Sequence, residues 1–268
     1  MVVDFHSHTR ESDGTLAPVE LVRAMLDRGV EIFSITDHDS LSAYGLLGTA
    51  PIKAKLVVGI EINTTYRENE VHILGYRLPL GVTEFSRLLD MNRRARELRV
   101  HQMVGKLNAA GHAVSYEDVR AEAGANATLG RPHVAKALIR KGITRSIESA
   151  FGDYLRSGKI AYVPSHHVTP QVAINAIKGS GGIAVLAHPG RLKNQALIEE
   201  MAQAGIDGLE VYYPRHGAAV TANYRAIADR LKLVATAGSD FHDIRYNKNG
   251  VGMDVSAAAI APFLELVA

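Results

Sequence analysis

Short apolar runs alternate with amphipathic stretches along most of this 268-residue chain. The runs are rich in β-branched residues and predict strands near residues 2–5, 32–35, 56–60, 183–186, 208–211 and 233–236. The stretches between them have helical spacing, most regularly at residues 18–28, 194–204 and 218–231. Strands that alternate with helices pair in parallel through helical crossovers, so the pattern predicts an α/β fold. An open sheet and a barrel both satisfy it.

Local signals set the ends of several predicted elements. Thr15 is the expected cap of the helix that starts near Pro18, and Gly29 follows the end of that helix. Glycines and a proline interrupt residues 40–55, which predicts a short or broken helix. Residues 57–76 predict a hairpin with its turn at 67–69.

Residues 84–156 break the alternation. Helical spacing recurs there at residues 85–110, 116–123, 132–141 and 147–155 without a strand signal. We therefore expect one main domain, built from residues 1–83 and 157–268, and a helical insertion at 84–156 that forms a cap. Its arginines at 93, 94, 96 and 99 are expected on a solvated helix face.

Composition narrows the possible functions. Lys and Arg number 30 against 28 Asp and Glu, so no overall field draws the protein to nucleic acid or to an anionic membrane. The absence of cysteine excludes disulfides, thiolate metal sites and cysteine nucleophiles. With neither a signal-peptide pattern nor an apolar stretch of membrane-spanning length, we expect a cytoplasmic protein with no obligate protein partner. Twelve histidines without a tryptophan point to metal chemistry.

Polar side chains gather where the predicted strands end. At or just beyond these C-terminal ends lie His6, His8, His38, Glu61, His72, His188, Asp240 and His242. Parallel barrels and open α/β sheets build their active sites on this face. His6 and His8 are two residues apart in an extended segment, so their side chains point the same way. Asp13, before Gly14, fits either turn chemistry or a metal ligand.

These residue types predict a centre of more than one ion. Imidazole and carboxylate ligands without sulfur suit manganese, zinc, iron or cobalt. Glu61 lies in an apolar run, where a carboxylate adds little to packing, so we expect it to bridge two ions. The candidates exceed what one ion can bind, which implies two or three. Clustered divalent ions with open positions are typical of hydrolytic phosphoryl transfer.

Six motifs together resemble the PHP (polymerase and histidinol phosphatase) family within the amidohydrolase-like metal hydrolases. They are DFHSHTRESDG, ITDHD, GIEI, EVHILGY, LAHPG and GSDFH, in this order across nearly the whole chain. Two further segments, LGRPHVAKALIRKG and AFGDYLRSGKIAYVPS, are similar to the bacterial branch of nucleoside 3′,5′-bisphosphate phosphatases and 5′→3′ oligoribonucleases. The resemblance implies a distorted seven-stranded (βα) barrel, the TIM-like PHP fold, with a helical insertion.

The resemblance also implies how the ligands are shared. The three sets are His6, His8, Glu61 and Asp240 for one ion, Glu61, His72 and His188 for a second, and Asp13, His38 and His242 for a third. Asp13 thereby joins the ligands. Manganese is favoured over zinc or iron for these two to three divalent ions.

The implied reaction removes the 3′-phosphate from nucleoside 3′,5′-bisphosphates, with 5′→3′ cleavage of short RNA as a further activity. A hydroxide activated by the ions attacks phosphorus, and Glu61 and Asp240 are the catalytic carboxylates. His216 is the candidate acid or substrate contact, with an exposed loop histidine as the competing interpretation. The alternatives are a histidinol-phosphate-type phosphatase of small metabolites and a metal-binding module without activity.

Three cationic or neutral side chains are candidate contacts to a second, non-reacting phosphate. Arg131 and His133 stand at the start of an insertion helix, where a helix N-terminus favours anions. A buried salt bridge is the competing role for Arg131. Lys159 is the third candidate, with a surface position as its alternative.

Overall fold

The computed structural model of this chain describes residues 1–49, 51–81, 83–125, 127–245 and 247–268. Its strands are β1 (Val2–Asp4), β2 (Ile32–Phe33), β3 (Lys55–Leu56), β4 (Gly59–Tyr66), β5 (Asn69–Tyr76), β6 (Ile183–Leu186), β7 (Gly208–Tyr212), β8 (Val234–Ala237) and β9 (Met253–Asp254). Its α-helices are α1 (Pro18–Asp27), α2 (Ser42–Gly45), α3 (Thr83–Ala109), α4 (Tyr116–Arg120), α5 (Arg131–Arg140), α6 (Ile147–Ala150), α7 (Pro170–Gly179), α8 (Leu197–Gln203), α9 (Ala218–Leu231) and α10 (Ala261–Leu266). The predicted α/β class is confirmed. Helix α2 matches the predicted short helix, while residue 50 of that segment and residue 126 of the insertion lie outside the described residues.

The strands form two mixed sheets, ordered β3-β2-β1-β9 and β4-β5-β6-β7-β8. Parallel pairing holds for β1–β2–β3 and for β6–β7–β8, where helices connect most of the neighbours. The β4–β5, β5–β6 and β1–β9 pairs are antiparallel. The predicted hairpin is confirmed, because Arg67 and Glu68 adopt φ values of 45° and 64° between β4 and β5. Positive φ at both central residues is what a tight type I′ hairpin turn requires.

Backbone hydrogen bonds join the two sheets beyond the ends of β1 and β2. Phe5 donates to the Ala237 carbonyl at 2.9 Å, and Asp240 donates to the His6 carbonyl at 2.8 Å. At the other side the backbone N–H of Asp39 donates to the backbone carbonyl of Glu61, also at 2.9 Å. The sheets therefore meet at the end of the molecule that carries predicted ligands. The described strands remain two sheets, and closure into one seven-stranded barrel stays a prediction.

Helix α1 starts as expected at Pro18, but its predicted cap is wrong. Ala17 occupies the N-cap position, and the Glu20 carboxylate accepts from its backbone N–H at 2.7 Å. The hydroxyl of Thr15 instead donates to the carbonyl of His242 at 3.0 Å. This partner lies far along the sequence, so local spacing could not reveal it. Gly29 follows the helix with φ of +74°, as its predicted role requires.

The described part of the predicted insertion contains helices α3 to α6 and a π-helical turn at Phe151–Leu155, joined by loops, and no strand. Its helices bury a hydrophobic cluster of their own, which includes Val100, Met103, Val134, Leu138 and Leu155. Three other clusters pack around the two sheets. No helix in the described ranges is both long and apolar enough to cross a membrane.

Two arginines of α3 contradict the expected solvated face. Arg96 is buried, and its Nε donates to Asp39 Oδ2 at 2.7 Å. Arg99 donates to the Val163 carbonyl at 3.0 Å and pairs with a carboxylate of the hairpin. A run of charges with helical spacing normally faces water, but here α3 packs against the sheet that contains β4 and β5.

Candidate metal centre

Glu61, in β4, lies at the centre of the predicted ligands and is fully buried. Its Oε2 is 3.2 Å from Nε2 of both His6 and His8, and 3.0 Å from Nδ1 of His38. These three histidines follow β1 and β2, so the ends of two neighbouring strands bring them together. The convergence on one carboxylate oxygen is the geometry expected of a shared ligand.

The other oxygen of this carboxylate faces two more predicted ligands. Glu61 Oε1 is 2.7 Å from His72 Nδ1 and 2.9 Å from His188 Nε2. His188 follows β6, as predicted. Glu61 and His72, however, lie inside β4 and β5, so the expectation that they follow strand ends is wrong. The long hairpin carries them into the cluster because its strands extend past the ends of the others.

Asp240 and Asp13 complete the cluster. Asp240 Oδ1 is 3.4 Å from His8 Nε2. Asp13 Oδ1 is 3.2 Å from His242 Nε2, and its Oδ2 is 3.8 Å from His38 Nε2. The structure therefore brings all nine predicted ligands into one connected group.

Among the described residues, buried atoms of this group lack hydrogen-bond partners. They are His6 Nε2, His8 Nε2, Asp13 Oδ1, His38 Nδ1, Glu61 Oε2 and Asp240 Oδ1. An unsatisfied buried polar atom costs about 1–3 kcal/mol, so a group of six such atoms is typical of a binding site. Imidazole and carboxylate ligands suit a divalent cation, and the residues fit one.

Potential ligand atoms within 4.8 Å of one another fall into three sets. They are His6, His8, Glu61 and Asp240; His8, Asp13, His38 and His242; and His38, Glu61 and His72. The first set is identical to the one the resemblance implies for one ion. The second adds His8 to the set implied for the third ion, and the last contains His38 where His188 was expected.

Opposite charges balance inside the cluster. Burial opposes a charge on Glu61, yet the surrounding imidazoles, His38 foremost, hold its pKa well below the ordinary value. Burial likewise opposes a charge on Asp240, whose pKa His6 and other cations lower. Burial disfavours charged His8, but Asp240 and Glu61 raise its pKa to about 10. The carboxylates are thus held ionised, the form in which they bind metals.

Glu210, which the sequence analysis missed, supports the cluster from β7. It is fully buried, and its Oε1 lies 2.9 Å from Nδ1 of His6. Its Oε2 accepts from the backbone N–H of His188 at 2.7 Å. Carboxylates of this kind orient a ligating imidazole and fix its tautomer. An acid within an apolar strand was the available signal, the same one that identified Glu61.

Two further aspartates hold the loops that carry ligands. Asp37 accepts from the backbone N–H and hydroxyl of Thr9 at 2.7 and 2.6 Å, and from the hydroxyl of Ser12 at 2.6 Å. Asp4 accepts from the backbone N–H and hydroxyl of Ser239 at 2.9 and 2.6 Å. These protein partners satisfy both aspartates, so they support the ligand loops.

Two cavities flank the cluster. One of about 560 Å³ is lined by Asp13, Asp240 and His242, and one of about 450 Å³ by His72 and His188. Arg156 and Arg191 line both. Nη1 of Arg191 donates to Asp240 Oδ2 at 3.1 Å, while half of the side chain, 51%, stays exposed. The sequence analysis missed both arginines because neither belongs to a strand-end pattern.

The predicted phosphate contacts of the insertion have protein partners. Arg131 lines the smaller cavity, but its Nη2 pairs with Glu70 Oε2 at 2.5 Å, the competing role noted above. His133 is buried, and burial lowers its pKa to about 4. Its Nδ1 accepts from the Gly130 backbone, and its Nε2 donates to the Ser12 carbonyl at 3.0 Å. Both ring nitrogens are thus occupied, which leaves neither for a phosphate.

Lys159 and His216 lie away from the described ligands. Lys159 is exposed and lines neither flanking cavity. The Nδ1 of His216 donates to the Val211 carbonyl at 2.9 Å, and its ring packs between Tyr213 and Tyr224. Tyr213 in turn donates to Asp240 Oδ2 at 2.8 Å and so stands between His216 and the cluster. An acid role for His216 stays a prediction.

The chain is similar to characterised bacterial proteins over most of its length, although no protein-family model matches it. It is 33% identical to a 5′-3′ exoribonuclease of Haemophilus influenzae, over 78% of each chain. It is 31% identical to a 3′,5′-nucleoside bisphosphate phosphatase of Chromobacterium violaceum, over 87% of this chain and 85% of the relative. A crystal structure from Bifidobacterium adolescentis, proposed to be a metal-dependent phosphoesterase, matches with a TM-score of 0.88 and 30% identity over 99% of this chain and 96% of that chain.

These matches, together with the fold and the cluster, define the chain as a metal-dependent phosphoesterase and hence a hydrolase. It belongs to the PHP family, as the six motifs predicted. Within that family its relatives are the nucleoside bisphosphate phosphatases and 5′-3′ exoribonucleases.

Proposed function

We propose that this chain hydrolyses the 3′-phosphate of nucleoside 3′,5′-bisphosphates with the help of two to three divalent ions, manganese before zinc or iron. The observation that carries the proposal is the group of unpartnered buried ligand atoms around Glu61. Bound at that group, divalent ions would activate water and neutralise phosphate charge. We further propose that the two sheets complete a distorted seven-stranded barrel, with residues 84–156 as its cap.

The observed distances support two of the ligand sets implied by the family resemblance, and the set around His72 contains His38 where His188 was expected. His6, His8, Glu61 and Asp240 would hold one ion, Glu61, His72 and His188 a second, and Asp13, His38 and His242 a third. Glu61 and Asp240 would keep the ions beside the reacting phosphate. Hydrolysis forms a bond from water oxygen to phosphorus, breaks the bond from phosphorus to the ribose oxygen, and returns a proton to that oxygen.

Arg191 and Arg156 are proposed as the main substrate contacts. Both line the two cavities that flank the cluster, so each can reach a phosphate on either side. Arg191 is half exposed beside Asp240, which lets part of its guanidinium meet a phosphate oxygen. Recognition of a second phosphate by Arg131 and Lys159 stays a secondary proposal, because Arg131 already pairs with Glu70.

A second candidate function is 5′→3′ cleavage of short RNA. The larger flanking cavity has a neighbour of about 690 Å³, and both are lined by Thr15, Lys136 and Ile147. Arg10, Lys136, Arg140 and Arg245 line this third cavity with Glu122. Arg140 pairs with Glu122 at 3.0 Å and Arg245 with Asp243 at 2.5 Å, so Arg10 and Lys136 contribute most of the positive charge there. A chain of phosphates that extends beyond the cluster would meet this positive surface.

Purified protein loaded with Mn²⁺ tests these assignments. We expect phosphate release from adenosine 3′,5′-bisphosphate, and mononucleotides from a pentaribonucleotide only if the second candidate also holds. Histidinol phosphate serves as the small-metabolite comparison. Arg156→Ala should lower kcat/KM for the bisphosphate and leave the value for histidinol phosphate unchanged. Preferred hydrolysis of histidinol phosphate would overturn the nucleotide assignment, and failure with every phosphoester would favour a metal-binding module.

A further inference from the structure

The helical insertion contacts two loops that carry predicted ligands. The backbone N–H of Thr128 donates to the Glu11 carbonyl at 3.2 Å, and its hydroxyl donates to the His38 carbonyl at 2.7 Å. Nε2 of His133 donates to the Ser12 carbonyl at 3.0 Å. Thr128 and His133 are both buried. The insertion therefore supplies hydrogen bonds to the main chain just before Asp13 and to the main chain of His38 itself.

Two more contacts join the insertion to the loop after β1. Nζ of Lys136 donates to the carbonyl of Asp13 itself at 3.3 Å. Gly124 approaches the same loop so closely that a Cβ there would lie 2.7 Å from the Arg10 carbonyl oxygen. Residues 10–13 thus turn a series of carbonyls toward the insertion. Buried carbonyls need partners, so the path of this loop depends on the insertion.

The ligands nearer the sheets are supported differently. Glu210, on β7, holds the ring of His6, and Asp4, on β1, accepts from the His6 backbone N–H at 3.3 Å. Glu61 is itself part of β4. These supports come from strands of the two sheets. Strands therefore support the part of the cluster around Glu61, whereas the loop that carries Asp13 is held by Asp37 and by the insertion together.

We propose that Thr128 and His133 are positioning residues for the third metal position, that of Asp13, His38 and His242. The proposal rests on the metal centre proposed above. These two side chains hold the main chain from which Asp13 and His38 project, so the insertion forms part of this position in addition to covering the site. Loss of either hydrogen bond should weaken the binding of the ion at this third position and leave the binding of the ions around Glu61 unchanged.

Calorimetric titration of the metal-free protein with Mn²⁺, combined with an elemental count of bound ions, tests the proposal. Thr128→Val preserves the shape of the side chain and removes the hydroxyl, and we expect about tenfold weaker binding of one ion only. Thr128→Ser restores the hydroxyl and should bind as the wild type does. Asp13→Asn identifies the third position directly. Adding Thr128→Val to Asp13→Asn should cause no further loss at that position.

Two control variants separate this role from general destabilisation. Glu210→Gln should weaken a different ion, because it acts through His6. Leu138→Ala, in the insertion's own core, should lower the Tm and leave every Mn²⁺ affinity unchanged while the protein is folded. The proposal is overturned if folded Thr128→Val and His133→Leu bind all ions as the wild type does, or if all ions weaken equally. A wild type that binds no ion overturns the proposed function itself, which distinguishes the two failures.

Discussion

The β4–β5 hairpin carries two glutamates that differ in their partners: Glu61 is fully buried, and the side chain of Glu70 is about a quarter exposed. Among the described residues, the partners of the Glu61 carboxylate are imidazoles, and its Oε2 lies 3.2 Å from Nε2 of His6. Glu70 lies between two guanidinium groups, with Oε1 at 3.0 Å from Arg99 and Oε2 at 2.5 Å from Arg131. Burial opposes the charge on Glu70, but Arg131 and Arg99 lower its pKa to about 2.

The difference shows how a binding carboxylate is told from a structural one. A guanidinium is permanently charged, so Arg99 and Arg131 neutralise the charge of Glu70 without a ligand. An imidazole can exchange its proton for a metal ion, so the carboxylate of Glu61 remains open to a cation. Burial of an acid is therefore insufficient to identify a site, and the type of partner decides.

The largest effect is expected from the same change made at both glutamates. Glu61→Gln should lower kcat/KM by about 100-fold or more with Mn²⁺, because even changes to residues behind metal ligands cost about 10- to 100-fold. Glu70→Gln, its matched control, should act mainly on the free energy of unfolding. Steady-state kinetics and urea unfolding measure the pair. Equal losses of activity in both variants would remove the distinction between the two glutamates.

Arg191 should behave unlike the arginines that pair with Glu70, because half of its side chain is exposed beside the cluster. Arg191→Ala should lower kcat/KM by about 10- to 100-fold, the loss of a charged hydrogen bond worth about 1.5–3 kcal/mol. Tyr213→Phe removes the other partner of Asp240 Oδ2 and serves as the control. If Tyr213→Phe costs as much, Arg191 acts by orienting Asp240 instead of binding substrate.

We expect a substitution of Arg131 to change the free energy of unfolding more than the catalytic rate. Arg131→Ala is expected to lower the free energy of unfolding by about 1 kcal/mol, a modest value because both side chains of the pair are about a quarter exposed and Arg99 remains beside Glu70. Urea denaturation measures this change. A rise in KM for a bisphosphate, without one for the corresponding 3′-monophosphate, would instead establish Arg131 as a phosphate contact.

The smallest effect is expected at Lys159. Its side chain is exposed and outside both flanking cavities, so Lys159→Ala should change the free energy of unfolding by less than about 0.5 kcal/mol and leave kcat/KM unaltered. Kinetics on the bisphosphate check this. A clear increase in KM would restore its predicted role in binding the second phosphate.

Sequence by itself determined the α/β class, the hairpin, the helical insertion and the nine side chains that meet in the cluster. These features are local. Apolar periodicity marks strands and helices, and a polar residue at a strand end, such as His188, stands out against its own neighbours. His6 and Asp240 come together where the segments after β1 and β8 meet, since the backbone N–H of Asp240 donates to the His6 carbonyl at 2.8 Å.

Only the tertiary structure decided which buried charges are already satisfied. Arg96 and Asp39 are 57 residues apart, His133 and Ser12 are 121 apart, and nothing in either local pattern predicts the contact. An acid in an apolar run can either bind a metal or orient a ligand, and the sequence does not distinguish the two roles. The tertiary structure assigns Glu210 to the second role, because its carboxylate contacts His6. Periodicity reports which face of an element is buried, whereas the partner of a polar group depends on how distant segments pack.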